Sequence, residues 1–165
     1  MAMRQLVSHP GPRYQALLQV LRAAESLWNA SRIFFHRWDL SPSQFNVLNL
    51  LSDQPGGCPQ IELSRQLIMH RSNITGLVDR LEARGLVKRY DVQSDRRVYR
   101  VVLTGGGRRL MREILPCYYE AAERLWEGIS PARARRLAAD LDALVANADR
   151  VVQAKRANRR AKGAL

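Results

Sequence analysis

The chain has 165 residues, of which 46% are apolar and 25% are charged, a composition that allows one buried core and excludes a protein that lives within a bilayer. No run of about twenty apolar residues predicts a membrane span, and the first segment lacks the apolar stretch of a signal peptide, so we expect a cytoplasmic protein without membrane association. Cys58 and Cys117 lie far apart and only three histidines accompany them, so the sequence predicts no disulfide framework, no metal site and no cofactor.

The formal net charge of +12 is concentrated in two segments. Residues 71–109 contain ten basic and four acidic residues, and residues 150–162 contain six basic residues and no acidic ones, so each segment has a surplus of six positive charges. The rest of the chain is neutral. Two segments that carry the whole excess favour a polyanionic partner over a surface that is basic only for solubility.

Three helices are predicted in the first part of the chain. Apolar residues at helical spacing predict a long amphipathic helix over residues 13–38. Ser41 as N-cap and Pro42 at the first helical position predict a second helix, which ends before a Gly-Gly turn. Pro59, at or near a first helical position, predicts a third helix of about two to three turns.

A fourth helix with an apolar back and a polar front is followed by a β-hairpin. The apolar positions of this helix are Ile74, Leu77, Val78 and Leu81. It ends at Gly85, and its short link to the third helix predicts a helix-turn-helix. The segments LVKRYDV and RVYRVVLT, rich in β-branched and aromatic residues, predict two antiparallel strands joined by a tight polar loop over residues 93–96.

Two further long helices complete the prediction. Thr104 predicts the start of a helix over residues 105–127, in which Pro116 should introduce a kink. Pro131 opens a last amphipathic helix, and the basic residues 156–165 are expected to form a fraying tail. The predicted fold class is mainly α with a small antiparallel β-hairpin, that is, a winged helix-turn-helix lobe plus a helical dimerisation region.

The succession LVDRLEARGLVKR, then SDRRVYRVVLT, then a glycine and a long helix resembles the MarR family of bacterial transcriptional regulators. The resemblance covers roughly residues 40–130, and its specific part is a helix, Gly-Leu-Val, a strand, the DxR motif, a strand and Leu-Thr. It implies a winged helix-turn-helix on a two-fold homodimer, with the first and the last two helices at the dimer interface. The amphipathic helices support a dimer independently, because their apolar stripes exceed what so small a lobe can cover.

On this resemblance the single domain divides into a winged helix-turn-helix lobe at 41–104, a helical dimerisation region at 13–40 and 105–155, and a basic tail at 156–165. Each recognition helix would enter a major groove, with half-sites roughly 10 bp apart on a pseudo-palindromic double-stranded operator. Many members of the family repress a nearby promoter and release it when a small phenolic or other ligand binds, or when a cysteine is oxidised.

The polar front of the fourth helix is the predicted DNA-reading surface. Asn73 carries the amide that pairs with adenine N6 and N7, and Ser72 and Thr75 can bond a base edge or a phosphate. Gly76 is costly within a helix, which suggests a close approach to DNA, although a tolerated surface glycine is the alternative. The predicted contacts on this helix are Arg71, Ser72, Asn73, Thr75, Gly76 and Arg80. The competing interpretation is an ordinary solvated helix face.

The hairpin supplies a second predicted contact with DNA. Arg97 matches the arginine of the DxR motif, and a guanidinium at a tip fits the negative potential of a narrow minor groove. Asp95 is expected to shape the turn and orient a neighbouring arginine. Arg96 is expected to contact a phosphate, and a change of one residue in register would exchange its direction with that of Arg97. The strand residues predicted to add phosphate contacts are Lys88, Arg89 and Arg100. A solvated hairpin remains the alternative.

An effector site is predicted among aromatic residues of the first helix and its neighbours. An aromatic pocket with one arginine suits an aromatic carboxylate or a phenol. The predicted lining residues are Trp28, Arg32, His36, Trp38, Phe45 and Tyr118, with Phe35 on the same side of the first helix. The alternative is that these side chains form an aromatic dimer core.

We therefore expect a dimeric, sequence-specific regulator of transcription that binds double-stranded DNA, a repressor released by a small aromatic or phenolic effector. The alternative is a nonspecific nucleic-acid or architectural DNA-binding protein. An enzyme is not expected, because the sequence has no paired carboxylates, no nucleophile-base signature and no metal cluster. The expected location is the cytoplasm, at the nucleoid when the protein is bound to DNA.

Overall fold

The structure is a computed structural model that describes residues 11–67, 71–92 and 95–162, without the side chains at 71–73, 91–92, 95–98, 156 and 158–162. Among these residues the elements in chain order are α1 (Pro12–His36), α2 (Pro42–Ser52), β1 (Cys58–Pro59), α3 (Gln60–Gln66), α4 (Arg71–Ala83), β2 (Val87–Val92), β3 (Asp95–Leu103), α5 (Gly105–Leu125) and α6 (Pro131–Lys162). The chain forms two units, Met1–Glu113 and Ile114–Leu165, which divide within α5.

The start of α2 shows how local sequence fixes an element. The Ser41 hydroxyl accepts a hydrogen bond from the Gln44 backbone N–H at 3.2 Å, and the Gln44 side-chain oxygen accepts one from the Ser41 backbone N–H at 2.8 Å. Pro42 occupies the first turn, where its missing N–H costs nothing. The predicted cap and the predicted proline position are both confirmed.

The sheet has three antiparallel strands in the order β1, β3, β2. Arg89 on β2 pairs with Val101 on β3, and Cys58 on β1 pairs with the same residue from the other side. Strand β1 was not predicted from the sequence, because a strand of two residues is too short to show the alternation that identifies strands. Its residues were assigned to the start of the third helix, which instead begins at Gln60.

The hairpin departs from the prediction at its tip. Asp95 and Arg96 were placed in the loop, but β3 already begins at Asp95, which pairs with Val92. The next pair toward the base of the hairpin is Asp91 with Tyr99, so the register shifts between Asp91 and Val92. A bulge of this kind adds residues to one strand without adding them to its partner, and it is invisible to a pattern that assumes strict alternation.

The buried core of the first unit lies between α2, α3, α4, the sheet and the first half of α5. Side chains exposed by 1% or less include Phe45, Val47 and Leu48 on α2, Leu63 on α3, Ile74, Val78 and Leu81 on α4, and Val101 on β3. The apolar back of the fourth helix is therefore buried as predicted. The predicted fold class, a mainly helical winged helix-turn-helix with a small antiparallel sheet, is confirmed.

The turn from β3 into α5 is fixed by Thr104 and Gly107. The Thr104 hydroxyl donates to the Gly85 carbonyl at 2.6 Å and accepts from the Gly107 backbone N–H at 3.0 Å. A Cβ at Gly107 would lie 2.1 Å from the Leu86 carbonyl oxygen, so only glycine fits there. The predicted N-cap is confirmed, and α5 ends at Leu125, two residues earlier than predicted.

Helix α6 is longer than the sequence analysis predicted. Residues 156–162 were assigned to a fraying tail, but α6 continues to Lys162. This segment contains Ala157 and Ala161 among arginines and a lysine, and these residue types have high helix propensities. The kink predicted at Pro116 stays a prediction, although that proline does lie within α5.

Helix α1 exposes most of its apolar side chains in the isolated chain. Phe35 is its one buried residue, whereas the exposed fractions of Tyr14, Leu21 and Trp28 are 51%, 58% and 46%. In the part of the chain that the structure describes, no helix has the length and apolar character needed to cross a membrane. The same residues contain no cluster of side chains suited to hold a metal ion.

Candidate nucleic-acid interface

The exposed front of α4 is the centre of the candidate interface. Thr75 and Arg80 are exposed and Gly76 is half-buried, while Ile74 and Leu77, on the same helix, are buried. Arg71, Ser72 and Asn73 form the first turn of α4, but their side chains lie outside the described ones. The structure thus places the apolar back and the polar front as the helical period predicted.

Thr75 is held by a residue of the preceding helix. The Gln60 side-chain amide donates a hydrogen bond to the Thr75 hydroxyl oxygen at 3.0 Å. This bond uses an acceptor position of the hydroxyl and leaves its hydrogen available to a base edge or a phosphate. Gln60 therefore orients a predicted DNA contact, a role that the sequence analysis did not assign to it.

Arg89 is anchored within the lobe. Its guanidinium lies 2.6 Å from the Glu82 carboxylate and 2.5 Å from the Asp79 carboxylate, and it donates to the Thr75 carbonyl oxygen and the Gln60 side-chain oxygen at 3.3 Å each. Only 19% of the Arg89 side chain is exposed. A phosphate contact by Arg89 stays a prediction, and these partners weigh against it because they occupy most of its donors.

The Arg89 cluster also changes the electrostatics of the interface. Asp79 and Glu82 are the carboxylates nearest to the polar front of α4 in sequence, and unpaired they would repel phosphate. Both are paired with one guanidinium, and Glu82 accepts the Arg89 backbone N–H as well at 2.8 Å. Because opposite charges are in contact, the field that this cluster presents to DNA is much reduced.

Arg100 has a second internal role. Its side chain donates to the Gly56 carbonyl at 3.1 Å and to the Gly57 carbonyl at 2.6 Å, and so fastens the turn before β1. Gly57 has φ +74°, and a Cβ there would lie 2.3 Å from a Val102 methyl group. Lys88, by contrast, is exposed, with its ammonium 5.1 Å from the Tyr90 ring centroid. Of the three strand cations, Lys88 is the one best placed to contact a phosphate.

The tip of the hairpin completes the candidate interface. Asp95, Arg96 and Arg97 lie on β3, beside the shifted register, and their side chains lie outside the described ones. Whether Arg96 or Arg97 points toward a minor groove therefore stays a prediction.

Two of the predicted effector residues line surface hollows. Arg32 and His36 line a hollow of about 270 Å³ together with Asp39, Leu40, Ser41, Pro42 and Gln44. They also line a more open hollow of about 580 Å³ with Asn29 and Ile33. Trp28 is 46% exposed on the same helix.

The remaining predicted effector residues have other surroundings. Phe45 is 1% exposed and stacks on Phe35 with ring centroids 4.1 Å apart, so it packs in the core. Helical spacing does not distinguish an aromatic residue that lines a pocket from one that fills a core, and a role of Phe45 in an effector site stays a prediction. Trp38 donates its indole N–H to the Glu113 carboxylate at 2.8 Å. Tyr118 belongs to the second unit, and its role stays a prediction.

Cys58 is buried, and burial raises the pKa of its thiol, with a further increase from the nearby Glu62 carboxylate. A thiol with a raised pKa forms little thiolate at neutral pH and reacts slowly with oxidants. Cys58 is therefore expected to be an inert core residue.

A helix-turn-helix with a wing is shared by many DNA-binding proteins, and a family model narrows the assignment. The model described as MarR family matches residues 38–98, which run from the end of α1 into β3. Over these residues the chain is similar to the MarR family. The matched residues include α4, β2 and the start of β3, which carry part of the resemblance seen in the sequence.

Two curated MarR-type regulators are similar to the chain. The HTH-type transcriptional regulator PapX of Escherichia coli is 29% identical over 120 residues, which cover 72% of the chain and 73% of PapX. The transcriptional repressor MprA of Escherichia coli K12 is 30% identical over 107 residues, which cover 65% of the chain and 61% of MprA. The chain therefore spans less than two thirds of MprA. These relatives are transcriptional regulators and not enzymes, as predicted for the chain.

The fold is shared with solved structures of the MarR family. Sco3205 of Streptomyces coelicolor, solved in complex with DNA, superposes with a TM-score of 0.77 at 21% identity and covers 83% of the chain and 88% of Sco3205. At that identity the similarity establishes the fold alone. The predicted winged helix-turn-helix architecture is thus confirmed.

Proposed function

We propose that the chain is a dimeric transcriptional repressor that binds a pseudo-palindromic double-stranded DNA operator in a sequence-specific manner. The observation that carries the proposal is the polar front of α4, where Thr75 and Arg80 are exposed over a fully buried back. Arg89 compensates one of the two negative charges on the neighbouring carboxylates, which lowers the repulsion that phosphate meets at this face. This function is also supported by the similarity of the chain to the repressor MprA and to Sco3205, which was solved in complex with DNA.

Readout of the operator is assigned to two elements. Asn73, Thr75 and Gly76 on α4 read base edges in the major groove, with Arg71, Ser72 and Arg80 at base edges or phosphates. Arg97 on the wing enters the minor groove, with Arg96 on a phosphate and Asp95 shaping the turn. Lys88 adds a phosphate contact.

A homodimer is supported by apolar side chains that the single chain leaves exposed. On α6, Leu137, Leu144 and Val151 recur every seven residues and are 43%, 39% and 57% exposed. Leu141 and Ala148 lie between them at spacings of four and three, which gives the repeat of helices that pair with other helices. Helix α1 exposes a second apolar set. Exposed apolar stripes on two long helices of one chain favour a partner copy that covers them.

These assignments divide the chain into a DNA-binding region and a dimerisation region. Residues 41–104 form the DNA-binding lobe, and residues 13–40 and 105–155 form the dimerisation region. The basic end of α6, residues 156–162, extends the helical region rather than forming a separate tail.

The effector is assigned to the hollow at Arg32 and His36. Arg32 can pair with a carboxylate and His36 can donate a hydrogen bond, and both lie on α1 one turn apart. An aromatic carboxylate or a phenol matches these groups together with the exposed indole of Trp28. Binding there changes the orientation of the recognition helix and releases the operator.

The experiment that tests this function is selection of genomic DNA fragments by the purified protein, followed by sequencing and footprinting. We expect enrichment of a few sites, each a pseudo-palindrome with half-sites about one helical turn apart. Enrichment of every fragment in proportion to its length would instead identify a nonspecific architectural protein, the alternative that the basic end of α6 favours. Repeating the selection with benzoate or phenol tests release.

A further inference from the structure

We propose that Arg84 is the positioning residue through which the hollow at Arg32 and His36 controls the recognition helix α4. Arg84 directly follows the last residue of α4 and reaches 45 residues back in the chain. Its guanidinium donates to the carbonyl oxygen of Asp39 and, at 3.1 Å, to the carbonyl oxygen of Trp38. The inference rests on the proposed function, since it concerns how the effector site acts on DNA binding.

The two carbonyls belong to the end of α1. Asp39 has φ +53°, a left-handed conformation that is uncommon for a residue other than glycine. Its backbone N–H bonds to the His36 carbonyl at 2.9 Å, and the Leu40 N–H bonds to the Phe35 carbonyl at 3.2 Å, which is the Schellman arrangement of a helix end. The outward carbonyls of such an end lack helical partners, and Arg84 supplies donors and a positive charge to them.

The same turn forms part of the hollow. Asp39, Leu40 and Ser41 line it together with Arg32 and His36 from the last turns of α1. The Asp39 carboxylate also lies 3.6 Å from the Arg84 guanidinium. A ligand held by Arg32 and His36 therefore lies against the residue whose backbone and side chain both hold Arg84.

A second set of contacts holds the turn after α1 through Trp38. The Trp38 indole N–H donates to Glu113 of α5 at 2.8 Å, and the Arg37 guanidinium stacks 3.6 Å from the Trp38 ring centroid. The turn is thus held between α4 and α5. When a ligand moves the turn, the hydrogen bonds of Arg84 either break or are kept. If they are kept, the end of α4 moves with the turn. In both cases the polar front of α4 changes its angle to the DNA.

The first test needs no ligand. Arg84→Gln, Arg84→Lys and the control Arg124→Gln are compared with the full-length wild type by operator and random-DNA affinity and by amide hydrogen exchange. Arg124 is an exposed arginine of α5 paired with Glu120, so the control removes the same charge elsewhere. We expect Arg84→Gln to lower the ratio of operator to random affinity about tenfold and to speed exchange at both residues 38–41 and the end of α4.

Arg84→Lys should recover part of the ratio, because lysine keeps the charge but not the forked geometry. Equal loss of affinity for operator and random DNA, with unchanged exchange, would overturn the proposal by showing that Arg84 is one more phosphate contact. Faster amide hydrogen exchange throughout the lobe of Arg84→Gln would also overturn the proposal, because it would show a general loss of stability.

The second test uses benzoate as the probe. Its binding to wild type and Arg84→Gln is measured by tryptophan fluorescence and calorimetry, and its effect on operator affinity by anisotropy. We expect both proteins to bind benzoate equally and only the wild type to lose operator affinity. If benzoate lowers operator affinity equally in both proteins, Arg84 does not couple the hollow to α4, although the hollow would still be an effector site. A wild type that does not bind benzoate would count against the proposed effector class, and the ligand-free test would still decide the role of Arg84.

Discussion

Individual cations in this lobe have different roles that a charge count does not separate. Arg84, Arg89 and Arg100 direct their guanidinium groups at carbonyls and carboxylates of the protein itself, whereas Arg80 and Lys88 are exposed. The positive charge of residues 71–109 is therefore only partly available to phosphates. Each phosphate neutralised makes the slope of log affinity against log salt more negative by about 0.9, so the slope should be shallower than the ten basic residues suggest.

Arg89→Gln tests the role of the Arg89 cluster. Removing the guanidinium leaves Asp79 and Glu82 without their shared partner, and we expect a loss of about 1–3 kcal/mol in the free energy of unfolding. Operator affinity should fall as well, because the front of α4 then carries two uncompensated carboxylates. Urea denaturation and fluorescence anisotropy measure the two effects.

A combined variant separates positioning from direct contact. Arg89→Gln together with Asp79→Asn and Glu82→Gln removes the whole charged cluster, so most of the lost stability and operator affinity should return. Recovery of stability without recovery of affinity would show that Arg89 itself touches DNA.

Gly76→Ala tests whether DNA approaches α4 closely. Among the side chains that the structure describes, a Cβ at Gly76 would meet that of Arg80 alone, at 3.6 Å, and these side chains leave room for alanine. Helix propensity then predicts a gain of about 0.5–1 kcal/mol in the free energy of unfolding. We expect operator affinity to fall nonetheless, because the added methyl group occupies the space that DNA needs.

The matched control for this substitution is Gly105→Ala at the start of α5. Within the described part of the chain, a Cβ there also meets an arginine nitrogen alone, at 3.6 Å, and the position lies outside the proposed interface. The control should leave operator affinity unchanged. If Gly76→Ala behaves in the same way as the control, the glycine is a tolerated surface residue without a role in binding.

At the scale of elements, the sequence predicted those whose signals are local. Helix starts are predicted by single residues, namely by the side chains of Ser41 and Thr104 and by the ring of Pro42. The apolar back of α4 is predicted by the helical spacing of its apolar residues. The strand β1 and the early start of β3 depend on pairing with distant residues, and no local pattern records that pairing. The extension of α6 to Lys162 shows that charge in the tail does not outweigh the helix propensity of alanine, arginine and lysine.

The candidate site divides in the same way. The polar front of α4 was predictable because a face is a property of one helix. The partners of Arg89 and Arg84 were not, since they come from elements up to 46 residues away. A basic residue at the C-terminal end of a helix commonly stabilises that same helix end. The sequence does not reveal that Arg84 instead caps the end of α1.

Arg97→Ala tests the wing as an element of recognition. A guanidinium in a narrow minor groove gains most where A/T-rich flanks narrow the groove. We expect a loss of about 1 kcal/mol on operators with such flanks and a smaller loss on G/C-rich flanks. Arg96→Ala is the comparison, and a larger flank-dependent loss in that variant would assign the insertion to Arg96.

For the whole molecule, recognition of two half-sites depends on the proposed dimer interface. Leu144→Asp places a carboxylate in the middle of the apolar repeat of α6, and we expect a shift from dimer to monomer in sedimentation at micromolar concentration. A monomer contacts one half-site, so operator affinity should fall by about a thousandfold. Ala146→Asp is the control, because it adds the same charge two residues later on the opposite side of α6. Dimers that persist in Leu144→Asp would place the interface elsewhere.

Sequence-specific binding is the central property of the proposed regulator. Its most direct measurement is the ratio of affinities for a selected operator and for random DNA of equal length, at several salt concentrations. We predict a ratio of about a thousand or more that persists while both affinities fall with salt. A ratio near one at every salt concentration would contradict a sequence-specific regulator and establish a nonspecific DNA-binding protein.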